Sequence, residues 1–143
     1  MLHLSTQCRY FLYEGHADMR KGFDGLCGIV QSAMRRKIIM GDIFVFINRP
    51  ATHIKLLQWE GDGFALYFKR LERGTFERPV GSYDNASMAL TSEQLSLILQ
   101  GISLQHIKKR KDINKRPDSV DITSAVSTVY TALQRFLLSL LQW

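Results

Sequence analysis

Glu60 and Asp62 stand two residues apart, and a carboxylate pair of this kind can hold Mg²⁺ for phosphoryl transfer. They also interleave with Gly61 and Gly63, and Glu-Gly-Asp-Gly is the strongest hairpin signal in the chain, since Asp-Gly tolerates the positive φ angles of a primed turn. The turn accounts for both acids without a metal and is the preferred reading. Asp18 and Asp24 are the other acids a metal-dependent nuclease would recruit. No Glu-x-Lys accompanies an upstream Asp, however, so a restriction-type nuclease centre is not visible. His3, His16, His53 and His106 are scattered without metal-ligand spacing. Neither a nucleophile elbow nor a Cys–His signature is present. The sequence therefore predicts no catalytic residue, no metal and no cofactor.

The basic residues say more. Nineteen Lys and Arg against thirteen Asp and Glu give a net charge of +6 and a pI near 9.6. The excess is concentrated. Residues 106–116 carry six basic side chains and one acidic, whereas residues 1–105 have a net charge of only +2 and residues 117–143 one of −1. Lys108, Lys109, Arg110, Lys111, Lys115 and Arg116 can each neutralise a phosphate. Six such contacts give log K a slope of roughly −5 against log salt. A solvated tail is the bland alternative. Lys69 and Arg70, with Arg73 and Arg78 beyond them, suggest a second basic ridge. No aromatic residue is interleaved with the 106–116 run, which argues against a single-strand stacking platform there. Backbone affinity with little base reading is the expectation.

Three strands position these groups. Ile43–Ile47 is a continuous apolar run, expected to be central with both faces covered. Pro50 lacks an amide and turns the chain. In residues 53–60, Ile54 and Leu56 lie on one face and Leu57 and Trp59 on the other. Both faces are then partly covered, or a bulge shifts the alternation near Leu57. Phe64, Leu66 and Phe68 alternate along the third strand.

Around this meander, residues 9–13 (RYFLY) and Met88-Ala89-Leu90 read as short strands, and Thr75–Pro79 as a short edge segment. Asp18 is expected to cap a helix carrying Phe23, Leu26, Cys27, Val30 and Met34 at helical spacing, with Arg35, Arg36 and Lys37 as its solvated end. Gly22, Gly25 and Gly28 each cost about 1 kcal/mol there. Close approach of the helix to the sheet explains them best. An anion site, with helix-start amides and the cations Arg20 and Lys21 facing a phosphate, is the alternative. Thr91 and Gln94 predict a capping box, with Leu95, Ile98, Leu99 and Ile102 as the apolar face and Gly101 as the stop. After Pro117 a last helix is expected, with Ile122, Val126, Val129, Leu133, Phe136 and Leu140 in a heptad-like stripe. It suits a partner or self-association through 122–140, or docking on the domain; a membrane surface is least favoured. Cys8 and Cys27 lack CxxC spacing and no export signal precedes them, so both are expected to be reduced thiols of a cytoplasmic protein.

Several of these stretches occur together in one order: DMRKGFDGL from Asp18 to Leu26, FVF from Phe44 to Phe46, KLLQWEGDG from Lys55 to Gly63 and YFKRLERGTF from Tyr67 to Phe76. With the TSEQL helix and the LQGISLQHIKKRK ending, they resemble the TnpB-type accessory proteins of the insertion sequence 66 family, which are distinct from the RNA-guided nuclease of the same name. The resemblance spans roughly residues 5–112. It implies a bacterial mobile-element protein acting in transposition beside a separate DDE transposase, and it supplies a process without a mechanism.

The expectation is thus an α+β domain over residues 1–105, a basic segment at 106–117 and a C-terminal amphipathic helix or extension at 118–143. Arg20, Lys21, Lys69, Arg70 and Arg73, together with the basic run, are the expected phosphate contacts. The expected partners are DNA and transposase subunits, with no membrane. The alternatives are an adaptor to the transposase without DNA contact and, less favoured, the metal-dependent nuclease.

Overall fold

A computed structural model of the chain describes residues 3–104 and 122–141. The chain divides into two units, Met1–Gln105 and His106–Trp143. The first is an α+β unit with a five-stranded sheet: β1 Tyr10–Tyr13, β2 Ile43–Ile47, β3 His53–Trp59, β4 Phe64–Arg70 and β5 Ser87–Leu90. Spatial order is β4-β3-β2-β1-β5. Only the β1–β2 pair is parallel, and α1 (Phe23–Ser32) lies on the connection between them. Helix α2 (Ser92–Leu99) follows β5.

All five residues of β2 are buried, as an uninterrupted apolar run requires. Ile43, Val45 and Ile47 join Tyr10, Leu12, Ile54 and Leu56 on one face, covered by Leu95 and Ile98 of α2 and by Phe76. Phe44 and Phe46 join Phe11 and Leu57 on the other, covered by Leu26 and Val30 of α1 and by Met34. Strand β3 pairs with β4 in unbroken register from His53↔Arg70 to Trp59↔Phe64. Leu56 and Leu57 therefore face opposite layers because both layers exist, and the strand has no bulge. In the β3–β4 turn Gly61 has φ +96° while Asp62 does not have a positive φ. Positive φ at the first central position alone is the mark of a type II′ turn, so Gly61 and not the Asp-Gly pair satisfies it.

Four local expectations are corrected. Asp18 does not cap α1: the helix starts at Phe23 behind Gly22, without a side-chain cap. Asp18 instead accepts the Arg20 N–H (2.9 Å) and grips its guanidinium (2.8 Å), forming a turn of its own. Arg20 and Lys21 consequently precede the helix. The glycines do not bring α1 close to the sheet. A Cβ on Gly22 or Gly28 would meet nothing within 4 Å, and one on Gly25 would meet only the stem of Lys21. Arg36 is no solvated helix end, since its guanidinium lies 3.6 Å over the Phe11 ring and Nε donates to Ser87 Oγ. Thr75–Pro79 forms no strand; Phe76 turns inward to fill the core and its N–H donates to the Ala51 carbonyl (2.7 Å).

The capping box is present, with Gln94 N–H donating to Thr91 Oγ1 (3.0 Å) and Thr91 N–H to Gln94 Oε1 (2.9 Å). Gly101 stops the chain with φ +72°, although Ile102 is exposed rather than part of the buried face. In the second unit, α3 runs Ile122–Leu140. Its Leu133, Phe136, Leu137 and Leu140 are exposed. No helix among the described residues is long and apolar enough to cross a membrane.

Candidate nucleic-acid interface

Strand directions sort the charges. β1, β2 and β4 finish, and β3 and β5 begin, at one end of the sheet. The strand tips and loops of that end carry eight of the twelve Lys and Arg in residues 1–105: Arg20, Lys21, Arg49, Lys55, Lys69, Arg70, Arg73 and Arg78. Six carboxylates accompany them, namely Glu14, Asp18, Asp24, Glu72, Glu77 and Asp84. At the opposite end Arg9, Arg35 and Lys37 are balanced by Asp42, Glu60, Asp62 and Glu93, while the Arg36 guanidinium reaches across Phe11 to Ser87 at the start of β5. A near-neutral unit thus has one cationic end.

The expected contacts are not all presented alike. Arg20 is exposed and paired with Asp18 (2.8 Å). That pairing holds the Asp18 carboxyl down at about 2 and raises the guanidinium. Lys21 is exposed beside the bare backbone of Gly25. Arg70 is exposed and pairs with Glu72 two residues on (2.9 Å). Arg73 is exposed in the following turn. Exposed pairs of this kind contribute about 0–1 kcal/mol, so both arginines can turn to a phosphate at little cost.

Lys69 is spoken for. Neighbouring strand residues face opposite layers, so Lys69 turns away from Arg70 towards α2, where Nζ donates to the Leu99 carbonyl (2.9 Å) at the helix C-terminus. Arg78 is folded inward, donating to the carbonyls of Tyr13, Glu14, Gly15 and Ile47, with its Nε buried and unpartnered. Burial lowers its pKa. The second basic ridge read from the sequence is therefore divided: Arg70 and Arg73 stay exposed, while Lys69 and Arg78 hold the fold together. Lys108, Lys109, Arg110, Lys111, Lys115 and Arg116 lie outside the described residues.

Sequence reasoning passed over Lys55. It is the one buried lysine among the described residues, and its Nζ donates to the carbonyls of Met19 (2.7 Å) and Lys21 (2.8 Å). It fastens the loop carrying Arg20 and Lys21 to the middle of the sheet. Its ammonium lies 4.8 Å from the centre of the Phe68 ring, directly across the β3–β4 ladder. Phe68 is half exposed and stacks with His53 (centroids 5.7 Å apart, planes at 25°). Arg70, two residues along, shares that face. The available signal was a lone cation between apolar neighbours in a strand that is buried on both sides.

The carboxylates of the nuclease alternative are divided between the two ends. Asp18 lies beyond the end of β1, and Asp24 in the first turn of α1; Glu60 and Asp62 sit in the β3–β4 turn at the opposite end. Among the described residues no three His, Cys, Asp or Glu side chains cluster as a metal site. The α1 start already has the Asp24 carboxylate in its first turn, which counts against the anion-site explanation of the glycines.

A family model described as IS66 Orf2 like protein matches residues 8–109. Two curated proteins of Sinorhizobium fredii (strain NBRC 101917 / NGR234) are similar. Uncharacterized protein y4hO is 36% identical over 106 residues, which is 74% of this chain and 90% of that protein. Uncharacterized protein y4jC is 34% identical over 120 residues, 84% of this chain and 99% of that protein. No solved structure matches the chain.

Proposed function

The chain belongs to the IS66 Orf2-like family, whose role is accessory to transposition, and on that premise we propose that it binds DNA without catalysing a reaction. The cationic end of the sheet supplies phosphate contacts through Arg20, Lys21, Arg70 and Arg73. The basic run from Lys108 to Arg116 would add six further cations to the contact set. Lys69 belongs to the contact set only if it gives up its helix-capping bond. The observation that carries the reading is the segregation of charge: one end of an otherwise balanced unit is cationic, and its exposed arginines are held only by weak local pairs.

Backbone contacts of this kind position a protein on DNA without reading sequence. The test is a mobility-shift titration of the full chain on duplex DNA at two salt concentrations. Binding should weaken steeply with salt, and Arg20→Gln with Arg70→Gln should flatten that slope. No binding, or binding indifferent to salt, removes DNA from the account.

A second reading is an adaptor that assembles transposase subunits. It is favoured by the exposed apolar residues of α3, Leu133, Phe136, Leu137 and Leu140, and by the outer edge of β4, which pairs with no strand among the described residues. Co-purification with the transposase from nuclease-treated lysate, lost on Leu133→Asp with Phe136→Asp, distinguishes it from tethering through DNA. Retention in both variants counts against the helix as the contact.

A further inference from the structure

We propose that Phe68 is a stacking platform for an unpaired nucleobase, so that the cationic sheet end takes DNA in which a single-stranded segment adjoins duplex. This rests on the DNA-binding reading above and names the form of DNA bound. Phe68 lies in the middle of a strand on the face that α1 covers elsewhere, yet 52% of it is exposed. Phe64 and Leu66, on the same face of the same strand, pack against the core. Large apolar surface left open amid charge calls for a ligand that is both apolar in face and anionic in frame. A nucleotide is such a ligand, and base–aromatic stacking tolerates any base.

The surroundings of the ring favour this occupant. Lys55 lies 4.8 Å from the ring centre and draws on its π electrons. His53 stacks with it, centroids 5.7 Å apart and planes at 25°, and adds a second ring to the aromatic surface. The His53 ring is also oriented. Asn48 Oδ1 accepts the N–H groups of Thr52 (2.9 Å) and His53 (3.0 Å), which fixes the amide so that its NH₂ faces His53 Nδ1 (3.0 Å). With Thr52 Oγ1 also 2.8 Å from Nδ1, the ring is held by that nitrogen and its Nε2 is turned away from these partners. Nε2 has no protein partner among the described residues and can hydrogen-bond to a base edge. Arg70, two residues from Phe68 on the same face, and Arg20, within the loop that Lys55 anchors, supply charge for a strand's phosphates at this end of the sheet.

The test is fluorescence anisotropy of the full chain on a blunt duplex and on the same duplex with a single-stranded overhang, using wild type, Phe68→Ala and Phe68→Trp. The overhang should bind more tightly than the blunt duplex to wild type. Phe68→Ala should lose roughly 5- to 150-fold on the overhang probe, the range that truncating one stacking aromatic spans, with the blunt duplex unchanged. Phe68→Trp should keep or improve overhang binding, because a larger ring stacks at least as well. Equal affinity of wild type for both probes, or equal losses of Phe68→Ala on both, overturns the platform while leaving DNA binding intact. Absence of binding to either probe overturns both. If Phe68→Ala leaves both affinities alone but abolishes co-purification with the transposase, the ring belongs to a protein contact and the proposal fails.

Discussion

Replacing Lys55 by Met removes one ammonium and keeps the packing of its stem, and the two opposing effects can be weighed. Nζ makes two charge-assisted bonds, to the Met19 and Lys21 carbonyls. Bonds to charged groups contribute about 1.5–3 kcal/mol each, and the Phe68 contact adds about 1 kcal/mol. Against this, Lys55 is a buried residue, only 6% exposed, and desolvating such an ion costs several kcal/mol, which the substitution returns. The freed carbonyls belong to a half-buried residue and an exposed one, so water can reach them in part. The balance is a destabilisation of about 1–2 kcal/mol. For a folded unit of this size that is a fall in Tm of about 5–15 °C. Urea unfolding followed by tryptophan fluorescence measures it, with Trp59 reporting from the end of the same strand. Amide exchange at Arg20 and Lys21 should rise in parallel, because the turn they form with Asp18 loses its anchor. An unchanged or raised midpoint refutes the reasoning: relief of desolvation would then dominate, and the carbonyl contacts would contribute nothing net.

Other outcomes follow from single contacts. Gly28→Ala should stabilise by about 0.5–1 kcal/mol, since the position is inside α1 and a Cβ there meets nothing; a loss on urea titration would mean that the helix face is not open. Thr91→Ala removes the α2 capping box and should cost about 1 kcal/mol, measured by the same titration. Asp18 has a pKa lowered to about 2 by its bonds to Arg20. The stability it contributes is therefore present above its ordinary value of 3.8 and is lost as pH falls towards 2. An acid titration of Asp18→Asn should lack that component, and an identical acid limb in both proteins would exclude the pairing. Burial, more than the nearby Asp24, raises the Cys27 thiol, so its alkylation at pH 8 should be slower in the folded chain than in urea. Equal rates would mean that the thiol is open.

Much of this chain could be read without coordinates, wherever a residue's role depends on its neighbours in sequence. The β2 run, the alternation along β4, the Thr91–Gln94 cap and the Gly101 stop are local patterns, and each recurs in the structure. Family membership was legible from ordered motifs alone. What sequence could not decide was direction in space. Gly22, Gly25 and Gly28 have helical spacing whether they face sheet or solvent, and only the packing of Leu26 and Val30 turns them outward. Lys69 and Arg70 are adjacent letters, but a strand sends neighbours to opposite layers, so one caps a helix and the other stays exposed. Arg78 reads as surface charge until the loop brings it among four carbonyls. Lys55 and Phe68 lie thirteen positions apart and meet only because β3 and β4 pair in that register. Local propensity is encoded residue by residue; which side chains share a face, and which charges are left for a ligand, is settled when non-local strands pair and bury their common surface.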